Sequence, residues 1–208
     1  MPPVGRIRLL IMLGVLGLPL RAVGDPCSDP AALRADLEHE SARVDRWVLA
    51  WRIIYTAAAA GEFGIAASGV AGHDTTLSAW VGGGKSTLAA LGYWVTPLRI
   101  KVPPPTGDAC YDRAALREAA ARAADDERDA FWTAHIGGLI VNAGAFVLLA
   151  EATSWKTGLL SFATGYPVGL LSTYTMPRTS WARVREPAWT ASVMADGRQY
   201  RLVIAGAF

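Results

Sequence analysis

Polar and apolar positions along the chain fall into long blocks. Four apolar segments stand out, at Trp47–Ser68, Leu77–Leu98, Phe131–Ala150 and Thr157–Met176. Each is close to the ~20 residues that span a bilayer as a helix. Polar stretches of helical period lead into the first and third. In the first, Leu33, Leu37, Val44, Trp47, Val48 and Trp51 recur at three- and four-residue spacing; in the second, Leu116, Ala119, Ala123, Ala130 and Phe131 do the same. The faces between them, "RADLEHESARVDR" and "REAAARAADDERD", intersperse opposite charges at helical spacing, the pattern of a solvated helix. Asp29 and Asp112 are placed to act as N-caps, with Pro30 at the first helical position. Aromatic residues such as Trp47, Trp51, Trp94, Trp132, Trp155 and Tyr174 lie near the segment ends, as in a membrane interface belt. The alternative, four buried helices of a soluble bundle, would need more surface-facing polar residues than these segments hold.

The blocks occur twice. "CSDPAALR" (Cys27 to Arg34) matches "CYDRAALR" (Cys110 to Arg117) at an offset of 83, and the same offset sets Ala60-Gly61-Glu62-Phe63 on Ala143-Gly144-Ala145-Phe146 and Arg52 on His135. This register predicts an internal repeat. The expected fold is an all-α membrane protein: four transmembrane helices as two tandem helical-hairpin repeats with extended extracytoplasmic helices, plus a C-terminal β-hairpin. Its parts are a signal peptide at 1–24, repeat 1 at 25–103, repeat 2 at 104–178 and a linker with the hairpin at 179–208. The proline-rich "KVPPPTGD" (Lys101 to Asp108) is a stiff connector between the repeats. The hairpin is expected around Asp196-Gly197, a two-residue turn signal between alternating strands.

Residues 1–24 have a basic start at Arg6 and Arg8, an apolar run from Leu9 to Leu20 and small residues at Ala22-Val23-Gly24, which is the form of a cleaved secretory signal. An uncleaved anchor is the alternative. Behind such a signal two cysteines, Cys27 and Cys110, are expected to pair, since they precede equivalent helices.

Charge excludes one class of partner. With 20 basic and 18 acidic side chains in 208 residues, the chain lacks the footprint of a nucleic-acid binder. "GGGKST" (Gly82 to Thr87) resembles the end of a phosphate-binding loop, but the position that needs the first glycine is Ala79 and no buried strand precedes it, so no nucleotide is expected. The three glycines read instead as a place where membrane helices approach closely. No catalytic constellation or metal-ligand spacing is legible, so neither enzyme activity, metal nor cofactor is expected.

The candidate intramembrane polar site comprises Arg52, Glu62, Lys85, His135 and Asn142. Such residues within a bilayer pair with one another or mark a ligand path. Glu62 and Lys85 lie at similar depth in one hairpin and are expected to pair. Arg52 and His135 occupy equivalent repeat positions, as a ligand site on the pseudo-twofold axis or as snorkelling and interhelical hydrogen bonding. Ser161, Gly165, Gly169 and Thr173 repeat every four residues, a helix-packing face, and Pro167 is expected to kink their helix.

A cleaved signal puts both termini outside the cytoplasm, in a multi-pass cell-membrane protein, periplasmic-facing if bacterial. Arg99, Lys101, Arg178, Arg183 and Arg185 on the outer face run against the positive-inside rule. The expected partners are the lipid bilayer and either a protein partner or a second copy. The expected function is a non-enzymatic envelope scaffold or assembly subunit; the alternative is a lipid-, ion- or small-molecule-binding or transport component using polar residues at the repeat interface.

Overall fold

The computed structural model describes residues 30–185, with side chains to 182, and the backbone of two later segments, 190–196 and 199–205. Of residues 30–185, 84% are helical. The order is α1 (Ala31–Ala67), α2 (His73–Val95), α3 (Ala109–Ala152), α4 (Trp155–Tyr174) and the short α5 (Thr179–Arg185), followed by β1 (Thr190–Asp196) and β2 (Gln199–Ala205). The two strand segments pair antiparallel, from Thr190 with Ala205 to Asp196 with Gln199. The expected signal peptide, Cys27 and Asp29 lie outside the described residues.

α1 and α2 form one antiparallel hairpin, and α3 and α4 a second. At 1.5 Å per residue, α2 and α4 are about 35 and 30 Å long, while α1 and α3 reach about 56 and 66 Å. The surplus of α1 and α3 lies in their N-terminal halves, which carry the charged sequences. There Leu37, Val44, Val48, Leu116, Ala119 and Ala123 are buried together with Ile100 of the connector. Their i, i+4, i+7 spacing is what turns them to one seam. The connector is fastened along α1: Arg34 Nη1 donates to Pro103 O at 2.5 Å, and Ser41 Oγ to Ile100 O at 3.0 Å.

Asp112 does not cap α3. The cap is Asp108, whose carboxylate accepts from the Tyr111 amide at 3.0 Å. Asp112 lies inside the first turn and bends back to the connector, accepting from Thr106 N at 2.9 Å and Thr106 Oγ1 at 2.7 Å. Those bonds hold its carboxyl below the usual carboxylate range. Cys110, in the same turn, is not a free thiol.

Among the described residues two helices, α1 and α3, are long and apolar enough to cross a membrane, with mean hydropathy of 1.2 and 1.7 over their most apolar 18 residues. Only 22% and 17% of those residues are buried, unlike the core helix of a soluble bundle. The exposed large side chains include Leu49, Ile53, Leu88, Ile140, Val147 and Leu160, all in the apolar segments. α2 and α4 have the length but not the hydropathy, because Gly82 to Thr87 and the Ser, Thr and Gly residues of α4 dilute it. α4 runs through Pro167 as one helix.

Candidate functional site

The glycines of α2 set the geometry of the first hairpin. A Cβ at Gly83 would lie 2.6 Å from the Phe63 ring, and one at Gly82 would overlap the Glu62 carboxylate, whereas Gly84 has nothing within 4 Å. In the second hairpin a Cβ at Gly158 would come 2.5 Å from Phe146 O. The phenylalanines that meet these glycines, Phe63 and Phe146, stand 83 residues apart.

Glu62 and Lys85 are brought to one layer but do not bond to each other. Ser86 Oγ donates to Glu62 Oε2 at 2.7 Å. Lys85 Nζ crosses to the other hairpin and donates to Asn142 Oδ1 at 3.2 Å, Ser161 O at 3.2 Å and Ser161 Oγ at 3.0 Å. The cause is helical phase. Successive residues lie about 100° apart around a helix, so Ser86 faces α1 while Lys85 faces α3 and α4. The expected Glu62–Lys85 ion pair is therefore replaced by two separate hydrogen-bonded ends, with Glu62 acting on Lys85 only through space. Asn142 is itself fixed, its Nδ2 donating to Gly138 O at 2.8 Å.

Gly165 makes this meeting possible. A Cβ there would lie 2.6 Å from Asn142 Oδ1 and 2.7 Å from Lys85 Nζ. The small-residue face of α4 thus divides. Ser161 and Gly165 receive Lys85, while Gly169 has nothing within 4 Å of its Cβ position. Thr173 is almost fully buried, its Oγ1 donating back to Gly169 O at 2.9 Å.

The cleft lined by these residues runs along both hairpins, from Thr75 and Thr157 to Trp47 and Met176. It has a volume of about 830 Å³ and is walled largely by Ala, Gly and aliphatic side chains, with Glu62, Lys85, Asn142 and Ser161 along its wall. At the far end Tyr55 Oη donates to Ser172 Oγ at 3.3 Å and Trp47 Nε1 to Thr175 Oγ1 at 3.3 Å, closing α1 against α4. There Tyr93 stacks on Tyr55 at 5.8 Å between ring centroids and meets Trp47 edge-on at 5.4 Å.

Arg52 and His135 do not join the cleft. Arg52 Nε donates to Tyr93 O at 2.9 Å, and its guanidinium lies 4.5 Å from the Trp94 ring centroid, as an interfacial cation on an aromatic. His135 stacks on Phe131 at 5.9 Å and meets Tyr174 edge-on at 6.1 Å; its Nδ1 is buried without a hydrogen-bond partner among the described residues. Each occupies the aromatic layer of its own hairpin, so the two do not form one site.

A second polar locus escaped the sequence reading. Glu127 of α3 is fully buried and its Oε2 accepts from the Trp181 amide of α5 at 2.8 Å, while Glu40 of α1 is nearly as buried and bonds to Arg43, which also donates to Thr179 at 3.2 Å. Burial pushes the Glu127 carboxyl up, and the nearby Glu40 adds to this. Nothing in "ARAADDERD" marks Glu127 from its acidic neighbours; its phase with Leu116, Ala123 and Phe131 on the buried face was the available signal.

No group of three or more His, Cys, Asp or Glu residues that could hold a metal occurs among the described residues. No protein-family model matches the chain, nor does any curated protein or solved structure.

Proposed function

We propose that this chain is a four-span membrane protein that binds a small amphiphile in the cleft between its two helical hairpins. The observation that carries the reading is the cleft itself. Its size falls within the ~300–1,000 Å³ of small-molecule sites, and it combines apolar walls with a few convergent polar groups. Ionisable groups at Glu62 and Lys85 are costly in hydrocarbon, about 2.5–3.5 kcal/mol each on insertion scales, and mark ligand or ion paths when they are retained. The match of α2 and α4 to bilayer thickness supports four spans, and the Phe63–Gly83 and Phe146–Gly158 crossings support two related hairpins. With a cleaved signal and a Cys27–Cys110 disulfide, the charged halves of α1 and α3, the connector and the C-terminal hairpin lie on the extracytoplasmic side of a cell envelope.

A scaffold role is the second reading, favoured by one observation: the small residues Gly137, Gly138 and Gly169 on the cleft wall would also admit a partner's helix. Native mass spectrometry of the gently solubilised protein separates the two. A retained mass of several hundred daltons, lost in a cleft-filling Gly169→Leu variant, is the expected result. A stoichiometric protein partner with no small ligand would overturn it.

A further inference from the structure

The cleft holds two opposite charges that the fold keeps apart. Lys85 gives all three of its protons to neutral acceptors, Asn142 Oδ1 and the two oxygens of Ser161. Among the described residues Glu62 accepts one hydrogen bond, from Ser86, and its other oxygen lies over Gly82. Both side chains are only half-buried, and both line the cleft. Two glycines, Gly82 and Gly165, vacate the space these ends occupy. The phase of α2 keeps the two charges apart: Ser86 turns toward α1 and holds Glu62, while Lys85 turns toward α3 and α4 and is held by Asn142 and Ser161.

We infer that the cleft recognises a zwitterionic head group, with an acidic group at Lys85 and a protonated amine at Glu62, carried on an apolar body that fills the cleft. This rests on the amphiphile-binding reading and narrows it. A phosphate or carboxylate sets a full negative charge against the Lys85 ammonium, which otherwise meets only neutral oxygens, and gives the shorter ion-to-ion form of the bond. An amine with N–H donors supplies the donor that the free Glu62 oxygen lacks. A purely anionic head group meets the Glu62 charge, and a quaternary amine cannot donate. Aminophospholipids and water-soluble amino-phosphates share this chemistry; the apolar walls favour the lipid.

The test titrates purified, delipidated full-length protein by native mass spectrometry with phosphatidylethanolamine, phosphatidylglycerol and phosphatidylcholine of identical chains, and with soluble glycerophosphoethanolamine. Phosphatidylethanolamine is expected to bind about tenfold more tightly than the other two lipids, the worth of one hydrogen bond to a charged group. Glu62→Gln leaves the Lys85 ties intact and should erase that preference. Lys85→Met should weaken phosphatidylethanolamine about tenfold, with size-exclusion behaviour checking its fold. Equal binding of all three lipids, abolished by Gly169→Leu, overturns the head-group inference while sparing the cleft. Binding indifferent to Gly169→Leu removes both. Glycerophosphoethanolamine bound as tightly as the lipid, with the same dependence on Glu62 and Lys85, supports the head-group chemistry and assigns the ligand to the aqueous pool.

Discussion

Gly158 is the tightest backbone crossing in the second hairpin, and Gly158→Ala should destabilise the protein. The new Cβ would lie 2.5 Å from Phe146 O and 3.1 Å from Ala150 N. Both are main-chain atoms of α3, so no rotamer change relieves them. An acceptable C···O separation is about 3.3–3.6 Å, so α3 and α4 must part by roughly 1 Å. Overpacking of this kind costs about 1–3 kcal/mol, and with a backbone neighbour the upper half applies. Alanine returns ~0.8–1.0 kcal/mol of helix propensity, leaving a net loss of about 1–2 kcal/mol. Gly144→Ala is the control. It stands on the same hairpin with nothing within 4 Å, so it keeps the propensity gain without the clash. Unfolding in mixed detergent–SDS micelles, followed by circular dichroism, gives both values. If the two variants agree within ~0.5 kcal/mol, the usual error of additivity, the crossing is not as close as described and the argument fails.

A double-mutant cycle between Lys85→Met and Asn142→Leu should show a coupling of about 0.6–1.7 kcal/mol, the range of interhelical hydrogen bonds in membranes, while Lys85→Met with Glu62→Gln should couple less; the reverse order would restore a direct Glu62–Lys85 pair. Glu127 has a folded pKa above its ordinary 4.5, chiefly through burial, so the folded state binds more protons than the unfolded one just above that value, and the stability of the fold should fall as pH rises through the raised pKa. Hydrogen exchange at the Trp181 amide would report this, and Glu127→Gln should flatten the profile. Asp112 has the opposite sign: its folded pKa lies below 3.8, so its contribution is complete above that value and is lost as pH falls through the lowered one. Thr106→Val should shrink that acid-side loss in a thermal-melting series, since it removes one of the bonds that lower the carboxyl.

Much of the helical layout was legible because it rests on local periodicity. Leu37, Val44 and Val48 were on the apolar stripe and are buried; of the three glycines read as a close approach, Gly82 and Gly83 meet α1 side chains and Gly84 does not. What failed depended on azimuth or on the mutual placement of the hairpins. The depth of Lys85 and Glu62 follows from residue counting, but which way each points depends on a 100° step between Lys85 and Ser86. Arg52 and His135 are equivalent in sequence, yet equivalence within two hairpins does not bring two side chains together. Asp112 looked like a cap because the cap signal of Asp108, four residues earlier, competes with it, and Thr106 decides between them. The cleft itself has no sequence signature, since it is the space left where two hairpins meet through a few polar contacts.

The connector between the hairpins responds differently to lengthening and to shortening. Ile100 is held in the seam and Thr106 is held by Asp112, so the stretch from Lys101 to Pro105 between them is anchored at both ends. Adding residues between those anchors costs only the slow logarithm of loop entropy. Removing one residue between the anchors takes away about 3.3–3.6 Å of reach, and the chain must then surrender either the Ile100 contact or the Asp112 bonds. The proline-rich strip therefore sets a minimum distance that evolution of this sequence is free to exceed but not to undercut.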